Sequence, residues 1–175
     1  MHNSFIHLSD RFRLIVLVLT TLVILIVGNS QIAIKQAIID EGNTLLLRLA
    51  PKDPRSLLQG DYMALRYAMA DQVAAAAMQA TITDGLIIVS LDTTGEASFV
   101  GLNEDQPLAE SQQLLRFRKR GDSVRLASDA FFFEEGEWKT YSDARYGELR
   151  VNKNGDAVLI GLYDREKRRL GKALH

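Results

Sequence analysis

Apolar and polar positions along this chain fall into two regimes. From 14 to 27 every residue is aliphatic except Thr20 and Thr21, and no charged side chain occurs between Arg13 and Lys35. Beyond position 43 the apolar residues come in short runs broken by Gly, Asn, Asp and Pro. The first regime predicts a membrane-spanning helix over 14–34. Its 21 uncharged residues span about 31 Å at about 1.5 Å each, close to the roughly 30 Å hydrocarbon core of a bilayer. Gly28, Asn29, Ser30 and Gln31 shorten the strongly apolar part, and Arg13 and Lys35 are placed to reach opposite interfaces. Two other readings share the segment. A cleaved signal peptide would use Gly28 and Ser30 as its small residues before the cut. An internal core helix fits poorly, because the run is apolar on all sides. The unbroken helical continuation over 31–39 favours an uncleaved anchor, since a mature N-terminus would be polar and extended. Arg11 and Arg13 precede the span against Asp10, whereas Lys35 follows it against Asp40 and Glu41. This bias keeps the N-terminus cytoplasmic and puts the remainder outside the inner membrane, periplasmic or extracellular. The expected division is a cytoplasmic N-terminus (1–13), an anchor (14–34), a helix extension or linker (35–43) and an extracytoplasmic β-rich domain (44–175).

Gly42 and Asn43 suit a helix stop, and the leucine-rich stretch 44–49 predicts a buried strand ended by Pro51. Residues 51–56 read as a proline turn, with Leu57 and Leu58 docking it on a core. Gly60 and Asp61 supply the next reversal. In the strand predicted over 62–67, Tyr62, Ala64 and Arg66 share one face, and Met63, Leu65 and Tyr67 the other. The alanine-rich stretch 68–80 predicts an exposed helix. Three hairpins follow, 86–91 with 97–102, 114–118 with 123–127, and 149–152 with 157–163, the last around Asn154-Gly155, a strong hairpin signal. The charged tail 164–172 reads as a solvated terminus. The fold class is α+β: one transmembrane helix, then a mainly antiparallel β domain with one or two short helices.

Composition removes several functions. The 21 basic and 22 acidic residues leave a net charge of -1, so no broad electrostatic footprint for nucleic acid exists. Without cysteine, disulfide frameworks, zinc fingers and thiol chemistry are excluded. The three histidines, His2, His7 and His175, lie at the chain ends, so no metal site is expected. The glycines are scattered turn residues, no phosphate loop is present, and no cofactor is predicted.

Gly60-Asp61-Tyr62-x-x-Leu65-x-Tyr67 resembles the signature of the GDYXXLXY bacterial membrane-protein family. Pro51-x-Asp53-Pro54-Arg55, Phe132-Phe133-x-Glu135-Gly136 and the block from Ala144 to Val151 are also similar to that family's pattern. The resemblance implies a single-span anchored domain of unassigned biochemical function, often associated with a multi-spanning membrane protein, and carries over no catalytic residue.

Candidate chemistry concentrates near the motif. Asp53, Arg55, Asp61 and Arg66 form a candidate polar site, in which a carboxylate could take an arginine fork or cap its own turn. The three phenylalanines Phe131, Phe132 and Phe133 cannot share one strand face; with Trp138 they form a candidate partner surface. Glu134 and Glu135 could pair with Arg145 or Arg150. The leading expectation is a non-enzymatic accessory domain for an integral membrane protein. The alternatives are an anchored hydrolase, using Ser56 with Lys52 or Asp53 with Asp61, and an envelope ligand-binding module whose pocket Tyr62, Tyr67 and the arginines would line.

Overall fold

The computed structural model describes residues 4–50, 62–121 and 123–172. It divides into two compact units, 1–37 and 38–175. The described residues of the first, 4–37, are a stretch of helix α1 (Ser4–Glu41). Among the described residues α1 is the one helix long and apolar enough to cross a membrane, with a mean hydropathy of 2.3 in its most apolar window. Thr20 and Thr21 donate their hydroxyl hydrogens to the carbonyls of Val16 and Leu17, four residues back, at 2.8 and 2.9 Å, and Ser30 donates to Val27. The hydroxyls within the apolar run are thus satisfied inside the helix, as a lipid environment requires. The helix runs unbroken through 28–31.

The second unit begins with the last turn of α1, where Ile38 is buried. Its strands are β1 (Asn43–Arg48), β2 (Tyr62–Ala64), β3 (Asp84–Leu91), β4 (Ala97–Leu102), β5 (Gln112–Arg120), β6 (Ser123–Arg125), β7 (Ala130–Phe132), β8 (Tyr146–Val151), β9 (Ala157–Tyr163) and β10 (Arg169–Leu170), with helices α2 (Ala70–Gln79) and α3 (Trp138–Tyr141). They form two four-stranded sheets, ordered β1-β8-β9-β10 and β4-β3-β5-β6, and a ribbon, β2-β7. All named strand pairs are antiparallel.

Alternation places one face of each four-stranded sheet in a shared core. Leu45 and Leu47 of β1, Leu149 and Val151 of β8, Ile87 and Val89 of β3, and Leu115 and Phe117 of β5 belong to one buried cluster. Each such side chain contributes roughly 1.5–3 kcal/mol by leaving water. Polar contacts stitch the two sheets at β5: the Arg116 amide donates to the Gly155 carbonyl at 2.8 Å, and buried Gln113 accepts from Asn43 and donates to Val151.

Two expectations are corrected here. Helix α2 is not an exposed flank, because Val73 and Ala77 are fully buried in the main core. Alanine content signals helix propensity, but the small side chains also let the helix approach the sheet closely. The tail is not a free solvated terminus either. Arg169 and Leu170 pair with Tyr163 and Leu162, and the Asp164 carboxylate accepts from the Arg168 amide and guanidinium at 2.8 and 2.9 Å. Arg169 crosses β9 above Gly161, where an added Cβ would lie 2.9 Å from its Nη2, and brings Nη1 to 3.1 Å from buried Glu148. The tail is thus held by strand pairing with β9 and by an ion pair to a buried carboxylate, which would be left uncompensated without the arginine.

Candidate functional site

The signature strand changes partners halfway along. Its first half, β2, pairs with β7 in the register Tyr62 to Phe132, Met63 to Phe131 and Ala64 to Ala130. The Leu65 amide then donates to the Asp129 carbonyl at 2.8 Å. Beyond that the strand joins the end of β1: Tyr67 bridges Leu49, Ala50 donates to the Arg66 carbonyl at 2.8 Å, and Ala68 donates to that of Arg48 at 2.9 Å. The strand therefore splices the ribbon onto the β1-β8-β9-β10 sheet.

The inward residues serve two cores. Met63 and Leu65 join Phe131, Tyr141, Ala144 and Leu162 in a smaller cluster, whereas Tyr67 enters the main one. Tyr67 is 4 % exposed, and its hydroxyl donates to the Ser128 carbonyl at 2.9 Å. Burial pushes its phenol well above the ordinary value, and the nearby Asp129 charge pushes it further. Its ring lies over β8 where Gly147 has no side chain: an added Cβ would sit 3.4 Å from Tyr67 and 3.1 Å from Leu159. The tyrosine of the signature and the glycine of the downstream block are thus one contact.

The outward face is different. Tyr62 is 38 % exposed and Phe132 75 %, and their rings lie side by side with centroids 5.8 Å apart. Of the other residues predicted as a partner surface, Trp138 is 42 % exposed, while Phe131 is buried. Phe133 packs against the smaller core and stacks on Tyr141 at 5.4 Å. The run of three rings is thus split, with Phe132 alone facing fully outward.

Where the strand meets the ends of β1 and β8, a concavity of about 450 Å³ opens, lined by Arg48, Arg66, Arg145 and Arg165 with Met63, Leu65 and Tyr146. Tyr62 and Tyr67 are not among its lining residues, although the ligand-module reading placed them there. Arg48 is held rigidly: its Nε donates to Glu96 at 2.9 Å and its Nη2 to the Tyr146 hydroxyl at 3.1 Å. The Arg48 guanidinium and the Lys167 ammonium both lie against the Tyr146 ring, 5.4 and 5.2 Å from its centroid. Lys167 also reaches Glu96 at 3.0 Å. The Arg48 hydrogen bond, with help from Lys167, holds the Glu96 carboxyl below its usual range. Arg66 pairs with Asp71 at the exposed surface, an arrangement of small energetic worth.

Of the predicted polar site, Arg66 alone is among the described residues; Asp53, Arg55, Gly60 and Asp61 lie outside them, as do Ser56 and Lys52 of the hydrolase reading. The expected pairing of Glu134 or Glu135 with Arg145 or Arg150 is not found among the described residues. Arg145 instead donates to the Ala144 carbonyl, and Arg150 to the Gly42 carbonyl and the Thr44 hydroxyl, because β8 directs Arg150 toward β1. Sequence reasoning passed over Arg48, Arg165 and Glu96, which lie far apart along the chain and share no local pattern.

A family model described as GDYXXLXY protein matches residues 24–162, from within α1 into β9. The chain belongs to the GDYXXLXY family. No curated protein and no solved structure matches it. Membership gives the GDYXXLXY signature a structural reading here: Tyr62 stands outward, Leu65 fills the smaller core, and Tyr67 ties the main core to Ser128. The matched span also takes in Gly147, which lies against the Tyr67 ring.

Proposed function

We propose that this GDYXXLXY protein is a single-span inner-membrane protein with a cytoplasmic N-terminus. In this reading its extracytoplasmic β domain binds an integral membrane partner and catalyses no reaction. The observation that carries the reading is the Tyr62–Phe132 pair. Phe132 keeps three quarters of its surface exposed on a short antiparallel ribbon whose opposite face, Met63 and Phe131, is core. Covering such a ring on a partner gains about 1.5–3 kcal/mol, and aromatic residues on preorganised backbone are the usual anchors of interfaces. The long apolar helix supports the membrane setting, and the excess of arginine before the span supports the orientation.

The test is a photoreactive amino acid at position 132 in the full chain, crosslinked in native membranes and extracted with mild detergent. The expected result is a discrete adduct with a multi-spanning protein, lost when the probe is moved to the inward position 131. Recovery of uncrosslinked monomer alone from position 132 would overturn the proposal.

A further inference from the structure

We infer that the arginine-lined concavity beside the signature strand binds a phosphate-bearing anion. Four arginines, Arg48, Arg66, Arg145 and Arg165, line one space, and among the described residues no carboxylate lines it. The chain as a whole carries a net charge of only -1, so this is a local concentration of one sign and not a reflection of composition. Two of the four have carboxylate partners, Glu96 for Arg48 and Asp71 for Arg66. Arg145 and Arg165 are in no ion pair among the described residues. Like charges gathered around a concave wall focus their field into it and draw an anion.

The geometry favours phosphate over a lone carboxylate. One carboxylate is satisfied by one planar arginine fork, whereas a phosphate or diphosphate group offers enough oxygens to engage several forks at once. Arg48 is preorganised for this. Glu96 and the Tyr146 hydroxyl fix its plane through Nε and Nη2, so little side-chain freedom is lost when an anion arrives. Ala50, Ala64, Ala68 and Ala144 keep the wall low between the arginines. The volume of about 450 Å³ falls within the range of roughly 300–1,000 Å³ typical of small-molecule sites. The same chemistry would hold a soluble phosphorylated molecule or a lipid phosphate headgroup. The site is separate from the Tyr62–Phe132 surface and stands or falls independently of it.

The experiment uses the full chain in nanodiscs at low ionic strength. Pyrophosphate is titrated calorimetrically into nanodiscs of neutral lipid, and a parallel set of nanodiscs contains phosphatidate, with binding of the domain to the headgroup read by protection of Arg145 and Arg165 from a guanidine-reactive reagent. Saturable pyrophosphate binding is expected, weakened about tenfold or more by Arg145→Ala or Arg165→Ala and unchanged by Arg125→Ala, whose guanidinium pairs with Asp129 elsewhere. Protection by phosphatidate without binding of free pyrophosphate also supports the site and identifies a lipid as its source. Absence of any phosphatidate-dependent protection together with no calorimetric signal overturns the inference. Equal weakening by Arg125→Ala overturns it as well, by reducing the effect to general charge. Binding that appears only in Asp53→Asn/Asp61→Asn would show that the chain's own carboxylates satisfy the arginines, and would likewise overturn it. Urea midpoints of the arginine variants, expected to match the parent, separate loss of binding from loss of fold.

Discussion

Replacing Tyr67 by Phe tests whether the last residue of the signature is structural. The substitution keeps the ring, and so its packing over Gly147, and removes a single oxygen. That oxygen donates a 2.9 Å hydrogen bond to the Ser128 carbonyl from a side chain only 4 % exposed. The net worth of a neutral buried hydrogen bond is about 0.5–1.5 kcal/mol, and an acceptor left dry adds a desolvation cost of about 1–3 kcal/mol. Water reaching Ser128 would recover part of that cost, so the expected destabilisation is about 1–3 kcal/mol. Segment 128–130 is otherwise tied to the signature strand by the Leu65 amide and the β2–β7 ladder, so the domain should stay folded. Urea unfolding of the full chain in detergent micelles, followed by the fluorescence of Trp138, the single tryptophan, gives the measurement. A lower midpoint at unchanged slope is expected, since the surface exposed on unfolding is the same. An unchanged midpoint combined with loss of crosslinking at position 132 would refute the reasoning, because the hydroxyl would then serve recognition and not the fold.

Three further outcomes follow from the same contacts. Arg169→Ala leaves the buried Glu148 carboxylate without its cation and should cost about 2–3 kcal/mol, less than a fully buried pair because the arginine is partly solvated; a neutral result in urea unfolding would show that water replaces it. Glu96→Gln bears on acid stability: the folded Glu96 carboxyl titrates below its ordinary value, so its contribution is present above about pH 4.5 and is lost as pH falls through the depressed value. The parent should therefore lose stability more steeply than the variant between about pH 5 and pH 3, and parallel urea midpoints across that range would contradict the Arg48–Glu96 account. Phe132→Ser removes an exposed ring and should shift stability by no more than about 0.5 kcal/mol while weakening capture of a partner by a photoreactive group at Tyr62; a large loss of stability would place Phe132 in a contact the domain makes with itself.

The local elements were legible because their signals are local. Alternation at 62–67 separated Met63, Leu65 and Tyr67 from Tyr62, Ala64 and Arg66, and the structure buries the first three. The hairpins around Gly95, Gly121 and Gly155 follow from turn residues between apolar runs. The buried face of α2 was missed because alanine reports propensity without reporting which side faces a core. The candidate site was legible only as a neighbourhood. The signature marked its strand, but Arg48, Glu96, Arg145 and Arg165 come together through strand pairing between distant segments, and separation along the chain carries no trace of that pairing.

By itself, the amino-acid sequence determined a long apolar helix, a mainly antiparallel domain and membership of the GDYXXLXY family. Backbone propensity, side-chain period and a signature of fixed residues are properties of neighbouring positions. Only the tertiary structure decided that the signature strand changes partners between Ala64 and Tyr67, that Gly147 lies between the Tyr67 ring and Leu159, and that Arg169 of the tail pairs with Glu148. Each depends on which surfaces meet when the two sheets close on one core. That choice is made by the packing and charge balance of the whole domain, not by any one segment of it.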